Sequence, residues 1–383
     1  MNYLFFLGRV RDISLAELDV VLRRFHATQP PEEVIPGIVR ADVDASADEL
    51  MSILGGTIKI AEVLEISAST ITADLQERVV EVLAGFGTQG EKLVFSLAEL
   101  GRGSSDHIGA DEVKDALREK LQANIRYIES PQEGLGAAQL THHKIHEIYV
   151  IQQGEVTLIA KIMAAQDIDA WGKRDFGKPY RDPKKGMLPP KLARMMVNLA
   201  VQDSDPAKMT IFDPFCGSGT VLMEALLMGC AVIGSDIDKD AVHGTGANLA
   251  WFSKAFNTAP ADALGVQDAT NIMLADIKKQ VDCIVTEPFL GRPNPTLAQL
   301  PNVMKGLEKM YLGVFKSFRS LLKPGGRISV VIPAFAVGES VKTLNSLIDR
   351  LETLGYTREK GPFTYTRPQT TVQRQIFVYR VKG

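Results

Sequence analysis

The chain has 383 residues, 43 Lys and Arg against 46 Asp and Glu, a formal charge of −3, 45% apolar and 23% charged residues. That length exceeds one ordinary core and predicts two or three domains of a soluble globular protein. Near-neutral charge excludes a global electrostatic argument for nucleic acid, so any such reading needs a local patch.

Three cysteines, Cys216, Cys230 and Cys283, lie far apart, fit no zinc spacing and point to a reducing compartment. Residues 1–7 are briefly apolar, but no basic residue precedes them and Arg9, Arg11 and Asp12 follow. That run is too short for a signal peptide or a membrane span, so a cytoplasmic protein is expected.

In chain order, residues 3–8 read as a strand. Ser14-x-x-Glu17 has the form of a capping box opening a helix over 15–25. Residues 34–43 read as extended, 47–54 as helix and 58–66 as strand, which makes a small α/β unit over 1–66. A second unit over 67–167 follows. It has a helix at 73–83, a strand at 92–97, and a helix at 110–121 with Val113, Ala116, Leu117 and Leu121 on one face. A short strand at 125–128 comes next, then a hairpin of 145–152 and 156–163 about Gly154. His142, His143 and His146 fit an exposed loop and a strand start, and no metal site is expected there.

Residues 168–186 read as a basic linker. Between Trp171 and Gly186 stand Lys173, Arg174, Lys178, Arg181, Lys184 and Lys185 against Asp175 and Asp182, a local charge of +4. The third unit, 187–383, alternates helix and strand. Helices are expected at 190–200, 220–228, 241–252, 307–322 and 341–354. Strands are expected at 209–212, 231–234, 264–267, 281–285, 328–332, 363–367 and 372–380. The alternation predicts a mostly parallel, doubly wound sheet, and the last two strands, with no helix between them, an antiparallel hairpin at its edge.

The most informative stretch is Ile211-Phe-Asp-Pro-Phe-Cys-Gly-Ser-Gly-Thr220. Here a strand runs through Gly217-x-Gly219 into a helix, with no third glycine of the dinucleotide pattern. Glycines at such a turn let the backbone approach a ligand, and the helix start offers free N–H groups. Asp213 ends the first strand, Asp236 the second, and Asp268 follows the third. Asp236 suits the two hydroxyls of a ribose. Asp268 suits an adenine amino group, with the Ala269 N–H on a ring nitrogen. Asp213 suits the cationic amino acid part of S-adenosylmethionine better than a pyrophosphate.

Glu287-Pro288-Phe289 follows the apolar strand 281–285 and is the candidate reaction centre. An exocyclic amine conjugated into a base is a poor nucleophile. A side-chain oxygen and a backbone carbonyl that accept its two hydrogens favour the attacking pyramidal nitrogen, and an aromatic face can stack on the base. The base must then be single-stranded or flipped out.

These residues resemble the THUMP-domain tRNA N2-guanosine methyltransferases that act on guanosine at position ten. Asp213-Pro-Phe-Cys-Gly-Ser-Gly-Thr220 is similar to the family's cofactor motif. Gly186-Met-Leu-Pro-Pro-Lys-Leu-Ala-Arg194 resembles the helix that precedes it and helps close the site. Arg174-Asp-Phe-Gly-Lys-Pro-Tyr-Arg-Asp182 resembles the segment joining THUMP and catalytic domains, and residues 3–21 the N-terminal ferredoxin-like domain.

The resemblance implies a Rossmann-like class I methyltransferase domain preceded by α+β ferredoxin-like and THUMP-like domains, with tRNA as partner. It implies a cofactor set of Leu188, Asp213, Phe215, Cys216, Gly217, Gly219, Thr220, Asp236, Ile237, Asp268 and Ala269, and RNA contacts from the basic linker, supported by Lys114, Arg118, Lys120 and Arg126.

Where the family reads Asp-Pro-Pro-Tyr, this chain reads Glu287-Pro288-Phe289-Leu290. A shifted alignment puts Thr286 in the acidic place and Phe289 in the aromatic one. Two other readings stay open: an N6-adenine or N4-cytosine DNA methyltransferase, and an RNA-binding protein that keeps the cofactor pocket without turnover.

Overall fold

The computed structural model describes all residues except 104–106, 132, 143, 182–186, 368–369 and 383. The N-terminal elements are β1 (Asn2–Leu7), α1 (Arg11–Arg24), β2 (Glu32–Ile35), β3 (Ile38–Asp42), α2 (Ala47–Ile53), β4 (Thr57–Ser67), α3 (Thr72–Ala84) and β5 (Leu93–Leu100). There follow α4 (Ala110–Leu121), β6 (Ile125–Tyr127), α5 (Ala137–His142), β7 (His146–Gln153), β8 (Val156–Ala165) and α6 (Ile168–Phe176). The C-terminal elements begin with α7 (Pro190–Val201), β9 (Thr210–Asp213), α8 (Thr220–Leu227), β10 (Ala231–Asp236), α9 (Lys239–Phe256), β11 (Ala263–Val266), α10 (Leu274–Ile277) and β12 (Val281–Thr286). They end with α11 (Leu300–Leu321), β13 (Leu322–Val337), β14 (Ser340–Thr343), α12 (Asn345–Thr353), β15 (Tyr356–Tyr365) and β16 (Val372–Val381). No described helix is long and apolar enough to cross a membrane.

Two compact units result. The first comprises Met1–Arg11, Phe25–Ile53 and Thr57–Ala170; the second comprises Asp12–Arg24, Leu54–Gly56 and Trp171–Gly383.

The first unit holds an eight-stranded sheet in the order β2-β3-β1-β4-β8-β7-β5-β6. Residues 1–66 and 67–167 feed this one sheet, because β4 pairs antiparallel with β8 from Lys59↔Ala165 to Ser67↔Thr157. The expected hairpin forms between β7 and β8, with Gln153 opposite Val156 and Gly154 at φ 62° in the two-residue turn. Val113, Leu117 and Leu121 of α4 are buried at the four-residue spacing that puts them on one face.

The second unit holds the sheet β11-β10-β9-β12-β13-β16-β15, parallel from β11 to β13 and antiparallel from β13 to β15. The apolar runs of β9 and β12 are buried throughout or nearly so, as central strands of a covered parallel sheet are. Tyr311, Phe315 and Phe318 of α11 pack into the core with Phe212, Ile284, Ile328, Tyr356 and Tyr379.

Several local expectations change. α1 begins at Arg11, so Ser14 lies inside the helix and not at its start. Glu17 instead turns inward: its carboxylate accepts from the Gly55 and Gly56 N–H groups at 2.9 and 2.7 Å and from Asn198 Nδ2 at 2.7 Å. The head of the expected linker, 168–176, is helical. His142, expected in a loop, ends α5. α11 starts seven residues before the expected 307. Residues 341–343, expected in a helix, belong to β14, where a two-residue turn and β-branched Val341 and Thr343 favour pairing with β13.

Candidate active site

Strand order reverses at β9: the chain proceeds outward through β10 and β11, then returns to β12 on the other side. In open α/β sheets a crevice for ligands opens at the carboxyl ends of the strands at that point. Here Thr286, closing β12, donates from Oγ1 to Asp213 Oδ1, closing β9, at 2.7 Å. Asp213 Oδ1 also accepts from the Phe215 N–H at 3.1 Å. Burial pushes the Asp213 carboxyl up to about 7, against the pull of those two donors.

The glycine turn joins β9 to α8. Gly217 and Gly219 have φ of 52° and 81°, values that L side chains rarely adopt. A Cβ at Gly219 would meet Thr245 Cγ2 at 3.0 Å, whereas at Gly217 it would meet nothing nearer than Phe215 O at 3.8 Å. One glycine therefore packs against α9 and the other leaves open space. The turn is held by groups that its own sequence does not announce. Thr245 Oγ1 donates to Gly217 O at 2.7 Å. Asn248 Nδ2 donates to Ser218 O at 2.8 Å and to Tyr180 O at 2.9 Å, while its Oδ1 accepts from the Tyr180 N–H at 2.7 Å. Lys178 Nζ reaches Thr220 Oγ1 at 3.0 Å and Ser218 Oγ at 3.3 Å.

The acids at the next two strand ends are presented differently. Asp236 Oδ2 accepts from the Gly217 N–H and Oδ1 from the Asp238 N–H, both at 3.0 Å, and the side chain stays partly exposed. Asp268 is exposed, and the N–H and hydroxyl of Thr270 hold its carboxyl below the usual carboxylate range. Ile237, 68% exposed, follows Asp236, and Val266, also exposed, sits opposite Asp236 in the register. These two apolar surfaces at neighbouring strand ends suit the faces of a purine. Val266 escapes the sequence because it reads as an ordinary strand residue. Ala269, Leu188 and Cys216 are buried, and Phe215 packs partly buried against the core. Burial and the Asp213 and Asp236 carboxylates raise the Cys216 thiol well above its usual range, which leaves it inert.

Thr286 is buried with its hydroxyl committed to Asp213. Glu287 is therefore the residue offered to the crevice. Its Oε1 accepts from Arg374 Nε at 2.5 Å, and among the described residues Oε2 makes no hydrogen bond. Burial raises the Glu287 carboxyl, and the Arg374 and Arg367 guanidinium charges pull it back. Pro288 is buried, while Phe289 is 60% exposed and plugs no core.

The basic residues of 171–186 do not form one solvated face. Arg174 is buried in an ion pair with Glu224 at 2.9 Å and lies over the Trp171 ring at 3.8 Å. Lys178 is buried on the glycine turn, and burial lowers its ammonium to about 8. Both are withdrawn from the surface by partners that neutralise or bond them. Lys173 and Arg181 are exposed, lying over the Phe256 and Phe176 rings at 5.2 Å each. Lys184 and Lys185 lie outside the described residues. In the first unit Lys114 and Arg118 face Asp111 and Asp115 of their own helix, which reduces their excess charge.

The RMKL-like methyltransferase domain family matches residues 178–350. A tRNA (guanine(10)-N2)-dimethyltransferase of Methanothermobacter thermautotrophicus is 35% identical over 205 residues, 53% of this chain and 52% of that protein. A probable tRNA (guanine(10)-N2)-dimethyltransferase of Methanothermococcus thermolithotrophicus is 33% identical over 118 residues, 30% of this chain and 70% of that one. The chain thus spans about half the length of the first of these relatives. The crystal structure of TrmN from Thermus thermophilus superposes with a TM-score of 0.55 at 18% identity, covering 100% of both chains. The fold is that of the Rossmann-like class I methyltransferases.

Proposed function

This chain belongs to the tRNA (guanine(10)-N2)-dimethyltransferase family, and from that premise we propose that it transfers a methyl group from S-adenosylmethionine to the exocyclic N2 amine of a guanosine in tRNA. The observation that carries the reading is Glu287, with one carboxylate oxygen held by Arg374 and the other free, directly after Thr286, which bonds Asp213 at the strand-order reversal.

The residues present fit the cofactor. Asp236 has lone pairs left for a ribose diol, and Asp268 is an exposed carboxylate for a purine amine. Exposed Ile237 and Val266 would flank its purine, and the open space over Gly217 would take its amino acid part. When bound, S-adenosylmethionine supplies an electrophilic methyl group on a sulfonium centre. Glu287 Oε2 accepts a hydrogen bond from the guanine amine and so localises its lone pair for attack. Once the amine carries the methyl group, Glu287 Oε2 would take up its surplus proton. Phe289 offers its exposed ring to stack on the base. Residues 1–66 and 67–167, which share one sheet, act in this reading as ferredoxin-like and THUMP-like parts that dock the RNA in the cytoplasm.

The test is transfer of a labelled methyl group to unmodified tRNA and to duplex DNA, with mass spectrometry of the digested tRNA. Label on guanosine N2, lost in Glu287→Ala while donor affinity persists, is the expected result. Label in DNA alone, or in no nucleic acid, overturns the proposal.

A further inference from the structure

The strand farthest along the chain contributes to the reaction centre. Thr286 sits opposite Val330 of β13, and Arg374 of β16 sits opposite Pro333 of the same strand. β12 and β16 are thus two strand spacings apart, roughly 10 Å, a gap that an arginine side chain crosses. The guanidinium does cross it, and meets Glu287 Oε1. Its side chain is 8% exposed and that of Glu287 13%. The start of β16 is itself tied down. Thr371 donates from its N–H and hydroxyl to Asn294 Oδ1 at 3.0 and 3.2 Å, and Ala336 N–H donates to Thr371 O at 2.8 Å. Arg367 donates to Met187 O at 2.5 Å.

A glutamate places its carboxylate on one more rotatable bond than the aspartate usual in this family, so its oxygens need an external fix to point one way. We propose that Arg374 is a positioning residue that seizes Glu287 Oε1 and thereby presents Oε2 alone to the target amine. The inference rests on the reading of Glu287 as the amine's acceptor. Arg374 is too enclosed to serve as a phosphate contact. Its charge also favours the ionised carboxylate, the form that can take up the surplus amine proton. Among the described residues, the other charged and titratable groups facing Glu287 are Arg367, Asp213 and Tyr311. Arg367 acts in the same sense as Arg374, whereas ionised Asp213 acts against it.

The test uses the full chain with 13C-carboxyl-labelled glutamate, the Glu287 signal being identified by its loss in Glu287→Gln. Removing the guanidinium in Arg374→Gln should raise the pH at which Glu287 ionises. The acid limb of single-turnover methyl transfer to tRNA should then move to higher pH, and the rate fall about a hundredfold. Donor affinity should change less than about twofold. Arg374→Lys, which keeps the charge and loses the planar fork, should restore the titration and part of the rate. It also serves as the variant to measure if Arg374→Gln fails to fold. A Glu287 titration that is the same with and without the guanidinium, or a rate loss equal at every pH, overturns the inference. A shifted titration in a protein that moves no methyl group to tRNA upholds the clamp and removes the function proposed above.

Discussion

Asp213 and Thr286 join the ends of two neighbouring central strands through one hydrogen bond, Thr286 Oγ1 to Asp213 Oδ1, at 2.7 Å. Thr286→Val keeps the shape and strips the donor. Because Asp213 is buried and ionises near pH 7, the loss should be larger at pH 8, where an ionised carboxylate is left short of a partner, than at pH 5. About 1–3 kcal/mol is expected at the higher pH, read from urea unfolding at both.

Glu17 gives a pH signature to the second unit. Burial raises its carboxyl from 4.5 to about 7, against the Gly55, Gly56 and Asn198 donors. A carboxyl whose value rises on folding contributes stability that is fully present below pH 4.5 and is lost as pH climbs through about 7. The difference corresponds to on the order of 3 kcal/mol. In Glu17→Gln that slope between pH 4.5 and 7 should flatten, and an unchanged slope assigns it to another group.

Phe289→Ala separates a base-stacking ring from a core plug. An exposed ring should leave the unfolding midpoint unchanged within about 0.5 kcal/mol. Methyl transfer should weaken through KM for RNA, by about tenfold for one lost stacking contact. Destabilisation by 3 kcal/mol or more would contradict the exposure.

Lys178→Met tests whether this amine serves the glycine turn or the RNA. Loss of its bonds to Ser218 and Thr220 should weaken donor binding by about fivefold to tenfold, the equivalent of one hydrogen bond. RNA affinity and its salt slope should stay as they were, whereas Arg181→Ala should lower both. Calorimetry and a salt titration read the two.

The strand–helix alternation of 187–383 was legible because each central strand is a short apolar run and each turn carries Gly, Pro or Asp. The positions of Asp213, Asp236, Asp268 and Glu287 followed from strand ends alone. What stayed hidden depends on contacts between distant segments. Asn248 and Thr245 stand among apolar residues of α9, and only the fold shows them bonding the glycine turn. Arg374 stands between Gln373 and Gln375 at the polar start of β16, and nothing in the sequence of that strand names Glu287 as its partner. Arg174 and Lys178 read as surface cations because burial of a charge is visible only through its partner. Ser14 and Glu17 fit a local cap by spacing, yet Glu17 bonds the turn at Gly55 and the distant Asn198.

Since Asp12–Arg24 and Leu54–Gly56 belong to the second unit, the catalytic part has no single junction at which it can be severed. An excised fragment beginning at residue 171 would leave Asn198 without Glu17 and bare the face of α7 where Ser14 lies near Met195. Such a fragment should be poorly soluble.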